Sequence, residues 1–398
     1  MTHSASSATR AVRASLESDT QHGAVVPPLH LSSNFTFAGF GDKRAYDYSR
    51  SGNPTRDALA QALTELEGGA GAIVTSSGMA ALNLVTQLLA PGDALIAPHD
   101  CYGGTYRLFS SLAAKGHFEV LFVDQTDEIA VRRACTRKPR LILVETPSNP
   151  LLRITDIEQM AVAARECGAL LAVDNTFLSP VFQQPIALGA DIVIHSTTKY
   201  LNGHSDVVGG AVVAADATLA EMLGWWANCL GITGAPFDAY LTLRGVRTLH
   251  ARMQQHEKNA ATLVRLLDEH EAVERVHYPG LRQHPGHQIA MRQQSGFGGM
   301  VSFEIAGGEH AVRAFVQGLR FFSLAESLGG VESLVCHPRS MTHAPVSEEA
   351  LAEAGIRPNL IRLSVGIECS EDLVVDVQQA LNAAQRAADY PMLSAISE

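Results

Sequence analysis

Short unbroken apolar runs recur through the first part of this chain, each bounded by polar or small residues. They are Ala72-Ile73-Val74, Ala94 to Ala97, Val120 to Val123, Leu141 to Val144, Leu170 to Val173 and Ile192-Val193-Ile194. Runs of this length between turn residues predict buried strands. The segments between them place apolar residues three and four apart. Thr55 to Glu67 carries Leu59, Leu63 and Leu66 and stops at Gly68-Gly69, while Ala80, Leu84, Val85 and Leu88 follow the loop Thr75 to Met79. These spacings predict helices with a glycine stop. The alternation of strands and helices predicts an α/β domain with a doubly wound, mostly parallel sheet over residues 57–255. Leu243 to Glu274 is dense in helix formers, and beyond it Met300 to Ile305 and Leu360 to Val365 alternate as half-buried strands. A smaller C-terminal α+β domain is expected over 256–398. Residues 1–56, with Pro27-Pro28 and few periodic apolar positions, read as an N-terminal arm.

Composition narrows the function. The 398 residues suffice for two or three domains. A formal net charge of -11 argues against nucleic acid or an anionic membrane as the main partner. Six cysteines without a CxxC pair suggest neither a disulfide framework nor a metal site, and fit a reducing cytoplasm. The first twenty residues contain no apolar secretory core, and no run approaches 18 apolar residues without charges.

The polar residues at the strand ends carry the chemistry, because ligands of open parallel sheets sit outside the carboxyl ends of the strands. After Ala72-Ile73-Val74 comes Thr75-Ser76-Ser77-Gly78-Met79, a loop opening into a helix, where N–H groups and the helix dipole favour an anion. It is neither GxGxxG nor the P-loop pattern, so a monoester phosphate is expected rather than a dinucleotide or nucleoside triphosphate. Tyr102 follows the strand ending near Ala97, placed to stack on a flat heterocycle, and Arg107 lies five residues on. Asp174 ends another buried run and needs a partner, for which a protonated pyridine nitrogen is suitable. Ser196-Thr197-Thr198-Lys199 ends the next, delivering a lysine suited to a nucleophile or Schiff-base role. In the arm, Tyr48 and Arg50 are two apart on a segment read as extended, pointing the same way for an anion. Arg362, in a strand, has the fork for a carboxylate. Each residue has a plainer reading alone, as a surface lysine, a packing tyrosine or a solvated edge arginine. Phosphate cradle, stacking aromatic, strand-end acid and lysine in this order are together the requirements of pyridoxal 5'-phosphate.

The stretches YDYSRSGNPTRDAL, LEGGAGAIVTSSGMAA, APHDCYGGTYRLF, ETPSNPLLR, VDNTFLSP, HSTTKYLNGHSDVVGG, GFGGM and AESLGGVESL carry a longer resemblance. With them the chain resembles the Cys/Met-metabolism family of pyridoxal-phosphate enzymes from about residue 20 to 390. The resemblance implies a fold-type I transferase and a homotetramer of two active dimers, each site completed by its neighbour. It implies that Lys199 holds the cofactor covalently and that Asp174 pairs with the pyridine nitrogen. Tyr102 would stack on the ring, and Ser196, Thr198, Gly78 and Met79 would hold the phosphate, joined by Tyr48 and Arg50 from the neighbour. Asn149, Ser327 and Arg362 would place the substrate, with Arg107, Glu326 and Asp47 toward its distal part. The reaction implied joins an O-acylhomoserine to cysteine; γ-elimination and sulfhydrylation are the alternatives on this scaffold. A non-catalytic descendant would have lost the lysine, the acid or the phosphate residues, and all are present.

Overall fold

The computed structural model describes residues 5–344 and 347–389. Two compact units form, and both are discontinuous in sequence. Of the described residues, the first comprises 5–98, 108–144 and 156–250, and the second 99–107, 145–155, 251–344 and 347–389.

The first unit is built on seven strands. They are β1 (Gly71–Thr75), β2 (Ala94–Pro98), β3 (Glu119–Val123), β4 (Leu141–Glu145), β5 (Leu170–Asp174), β6 (Ile192–His195) and β7 (Gly210–Ala214). Their order in the sheet is β1-β7-β6-β5-β4-β2-β3. The pairs β2–β3, β2–β4 and β5–β6 are parallel, whereas β7 runs antiparallel to both β6 and β1. Strands β2, β4, β6 and β7 are buried at every position, so the predicted runs at β2, β4 and β6 are core strands covered on both faces. The runs expected to be buried at β1 and β3 instead lie at the sheet edges and stay largely half-buried. Residues such as Leu95, Ile96, Ile142, Ile192 and Ile194 are wholly buried. Each contributes about 1.5–3 kcal/mol by leaving water. The sequence reading has no strand at Gly210–Ala214; Gly209 before it and Gly210 at its start weaken the local signal. Gly210 is needed there, since a Cβ would lie 2.1 Å from the Ser77 carbonyl oxygen.

The helix Pro54–Glu67 starts because Asn53 Oδ1 accepts the N–H of Thr55 and Arg56 at 2.9 and 3.3 Å, with Pro54 in the first turn. It ends at left-handed Gly68, φ 73°. This fixes Glu67 as its last, buried residue. The stretch Leu243 to Glu274 is not one helix. Helix Pro236–Val246 ends, Leu249–Glu269 begins, and the last residues enter a strand at Val273. Gly245 lies against the Asn202 carbonyl, 2.1 Å from where a Cβ would be.

The second unit carries strands β8 (Val273–His277), β9 (Met300–Ile305), β10 (Ser323–Leu324), β11 (Leu334–Cys336) and β12 (Leu360–Ser364), ordered β10-β11-β12-β9-β8. Strands β9 and β12 alternate in polarity as predicted, yet both are buried throughout. Val301, Phe303, Ile305, Ile361 and Leu363 pack into a core with residues of helices Leu249–Glu269, Gly308–Gly318 and Ser370–Asp389. The opposite face is covered too: Ser302 Oγ donates to the Pro150 carbonyl at 2.6 Å, and Leu360 clusters with Leu151, Leu351 and Ile356. Among the described residues, no helix is long and apolar enough to cross a membrane.

Candidate active site

In the first unit, the turn between β1 and the helix Gly78–Thr86 is tied down by hydroxyls. Ser77 Oγ caps the helix by accepting the Ala80 N–H at 3.0 Å, and Thr75 Oγ1 donates to the Ser77 carbonyl at 2.9 Å. This presents the first-turn amides of Gly78 and Met79 outside the helical ladder. Gly78 sits directly on Ser196: a Cβ there would lie 2.8 Å from Ser196 Cβ and 3.0 Å from its Oγ. The phosphate loop and the lysine loop predicted from sequence are therefore in contact.

Asp174 joins the same cluster. The Thr176 N–H donates to Asp174 Oδ1 at 3.0 Å, and Thr176 Oγ1 accepts the Ser196 N–H at 2.9 Å. Burial pushes the Asp174 carboxyl above the usual range, against the Thr176 hydrogen bonds that pull it down. Thr198 Oγ1 donates to the Gly209 carbonyl at 3.1 Å and accepts the Gly209 N–H at 3.0 Å, bracing the loop. Lys199 follows in the turn after β6, its N–H donating to the Ser196 carbonyl at 3.2 Å. A helix start without room for a side chain, hydroxyls beside it, a desolvated strand-end acid and a half-buried lysine fit a phosphorylated pyridine aldehyde.

Also in the first unit, Tyr48 and Arg50 are drawn together differently than expected. The segment turns at Ser49–Arg50 rather than staying extended, and the Arg50 guanidinium lies 5.8 Å from the Tyr48 ring centroid. Both side chains are exposed. Asp47 pairs with Lys43 at 2.9 Å.

The second unit holds Tyr102, Arg107, Asn149, Glu326, Ser327 and Arg362. Arg362 is no edge residue: β12 lies between β9 and β11, and the side chain is buried. Its Nη1 donates to Asn149 Oδ1 at 2.8 Å and its Nη2 to the Ser327 carbonyl at 2.9 Å. Ser327 adopts φ 81°, a left-handed conformation that costs a non-glycine residue strain. Tyr102 is 40% exposed, with its ring available to stack. Arg107 and Glu326 are exposed.

Two residues of this unit escaped the sequence reading. Glu145, at the end of β4, accepts the Tyr102 N–H at Oε2 (3.0 Å) and the Asn149 N–H at Oε1 (3.1 Å), locking the two loops to one carboxylate. Its strand-end position was the available signal. His343 is buried; burial, and then the Arg362 guanidinium, hold its imidazole down at about 4. It lies in irregular chain, where no periodicity points to it. Among the described residues, no group of three or more His, Cys, Asp or Glu is placed to hold a metal ion.

The chain matches the family model described as Cys/Met metabolism PLP-dependent enzyme over residues 8–382. It is 57% identical over 380 residues to cystathionine gamma-synthase of Escherichia coli strain K12, covering 95% of this chain and 98% of the relative. To cystathionine gamma-lyase of Dictyostelium discoideum it is 47% identical over 375 residues, 94% of this chain and 97% of the relative. Among solved structures, cystathionine gamma synthase from Xanthomonas oryzae pv. oryzae in complex with cystathionine superimposes with a TM-score of 0.96 at 60% identity. That match covers 96% of this chain and all of the other.

Proposed function

The chain belongs to the Cys/Met metabolism family of PLP-dependent enzymes, and from that footing we propose that it catalyses a γ-replacement on an O-acylhomoserine. The acyl group, succinyl or acetyl, leaves as the free acid; the thiol sulfur of L-cysteine bonds to the γ-carbon, and the product is L-cystathionine. The observation that carries this reading is the identity to the Escherichia coli and Xanthomonas oryzae synthases, 57% and 60%, against 47% to the Dictyostelium discoideum lyase. Close likeness to a lyase makes γ-elimination of cystathionine the second reading. Sulfhydrylation of the same donor is a third outcome open to this scaffold.

Pyridoxal 5'-phosphate supplies, when bound, an electron sink for the substrate α-carbon. Ser196, Thr198 and the Gly78 and Met79 amides take its phosphate, and Asp174 holds a proton on the ring nitrogen. Tyr102 would stack on the ring and would serve as a proton carrier toward the substrate amine and leaving group. Lys199 would hold the cofactor, and its amine would be the base that moves the α-proton and then a β-proton. Arg362, fixed by Asn149 and the Ser327 carbonyl, receives the α-carboxylate. Arg107, Glu326 and Asp47 face the distal part of the substrate.

Assembly as a homotetramer of two active dimers belongs to the same proposal, with Tyr48 and Arg50 reaching the neighbour's phosphate. Exposed Phe37, Phe40 and Tyr48 support it, being a costly display for an isolated chain.

Product analysis tests the reaction. With O-succinylhomoserine and cysteine in one tube and cystathionine alone in another, cystathionine should accumulate in the first while the second stays largely unchanged. Rapid release of cysteine and 2-oxobutanoate in the second would replace the proposal with a γ-lyase.

A further inference from the structure

Behind Asp174, the first unit encloses a buried pair that the proposed chemistry does not use. His195, the last residue of β6, and Glu67, the last of helix Pro54–Glu67, are each 1% exposed. His195 Nε2 stands 2.6 Å from Glu67 Oε1. The same oxygen accepts the Asn175 side-chain N–H at 2.9 Å. Asn175 is the neighbour of Asp174 and its N–H donates to the Ile194 carbonyl at 3.0 Å, so it links the pair to both strand ends. Gln183 completes the surroundings, its Nε2 donating to Asn175 Oδ1 at 3.1 Å.

Two carboxylates, Glu67 and Asp174, thus sit in one desolvated region, and uncompensated negative charge there is expensive. A neutral imidazole would leave both uncompensated. An imidazolium on His195 pairs with Glu67 through a charge-assisted hydrogen bond and places positive charge beside Asp174.

We infer that Glu67 and His195 are positioning residues for cofactor binding: Glu67 holds His195 as an imidazolium, and that charge keeps Asp174 ionised to bind the protonated ring nitrogen. The inference rests on the assignment of Asp174 to that nitrogen, so the test carries a control for it.

His195→Gln keeps an N–H donor toward Glu67 but removes the charge, separating an electrostatic role from a packing one. Wild type, His195→Gln and Asp174→Asn would each be loaded with cofactor labelled with 15N in the ring. The ring-nitrogen resonance, cofactor retention on dialysis and thermal midpoint would then be read. The expected result is a protonated ring nitrogen in wild type and a resonance moved toward the unprotonated position in His195→Gln. Retention should be about tenfold weaker there, the equivalent of about one unit of lost proton affinity. Asp174→Asn should show the larger change. An unchanged resonance and retention in His195→Gln, with both altered in Asp174→Asn, would overturn the inference alone. An unaltered Asp174→Asn would overturn the assignment beneath it. Should His195→Gln not fold, 15N-histidine spectra of unchanged apoenzyme at neutral pH decide: both His195 ring nitrogens protonated is the expected result, and a neutral imidazole refutes it.

Discussion

Arg362 Nη1 and Asn149 Oδ1 meet at 2.8 Å across 213 residues of sequence, both side chains buried in the second unit. With Nη2 held by the Ser327 carbonyl, the guanidinium is fixed before any ligand arrives. A lysine would keep the charge but cannot serve both partners and a carboxylate with one nitrogen. Arg362→Lys should raise KM for the amino-acid substrate about ten- to hundredfold, with a smaller change in kcat and unaltered cofactor absorbance. Steady-state kinetics beside a visible spectrum checks this.

Gly78 is where the loop proposed to take the phosphate touches Ser196. Gly78→Ala would drive a methyl to within 2.8 Å of Ser196 Cβ and 3.1 Å of its Cα, backbone that has little room to retreat. Cofactor retention on dialysis should fall at least about tenfold, a cost of about 1.4 kcal/mol. Gly224, inside helix Ala217–Leu230, has nothing within 4 Å of its would-be Cβ. Gly224→Ala should leave retention unchanged and gain about 0.5–1 kcal/mol of stability.

His256 sets an expectation for acid. Burial holds its imidazole down at about 4, although its hydrogen bond to the Val365 carbonyl, at 2.7 Å, acts the other way. In the unfolded chain the group returns to about 6.5. Between those values the unfolded chain binds the extra proton, so stability rises with pH across the window and is lost as pH falls from 6.5 toward 4. The thermal midpoint should drop over that range. His256→Asn, though less stable at neutral pH, should show a shallower drop; an equally steep one would show that other groups govern it.

The apolar runs were legible because burial on both faces writes itself into consecutive residues, as in Leu141 to Val144 and Ile192 to Ile194. Gly78, Asp174 and Lys199 could be singled out because strand ends mark where ligands sit. What periodicity does not carry is long-range. Residues 99–107 and 145–155 cluster with the second unit. The polar face of β12 is buried under residues near Pro150, and no local pattern announces this for Arg362. The strand end marks Glu145, but its two backbone partners, like the Glu67–His195 pair, become visible only when chain neighbours are replaced by spatial ones.

The central claim is that Lys199 is the residue that holds the cofactor. The chain has five lysines, Lys43, Lys115, Lys138, Lys199 and Lys258, so the test has few outcomes. Holoenzyme would be treated with borohydride to fix the lysine–cofactor bond, digested, and its peptides weighed. The added mass should fall on the peptide containing Lys199 alone. Added mass on any of the other four, or none on Lys199 while the cofactor's visible band is present before reduction, would contradict the account.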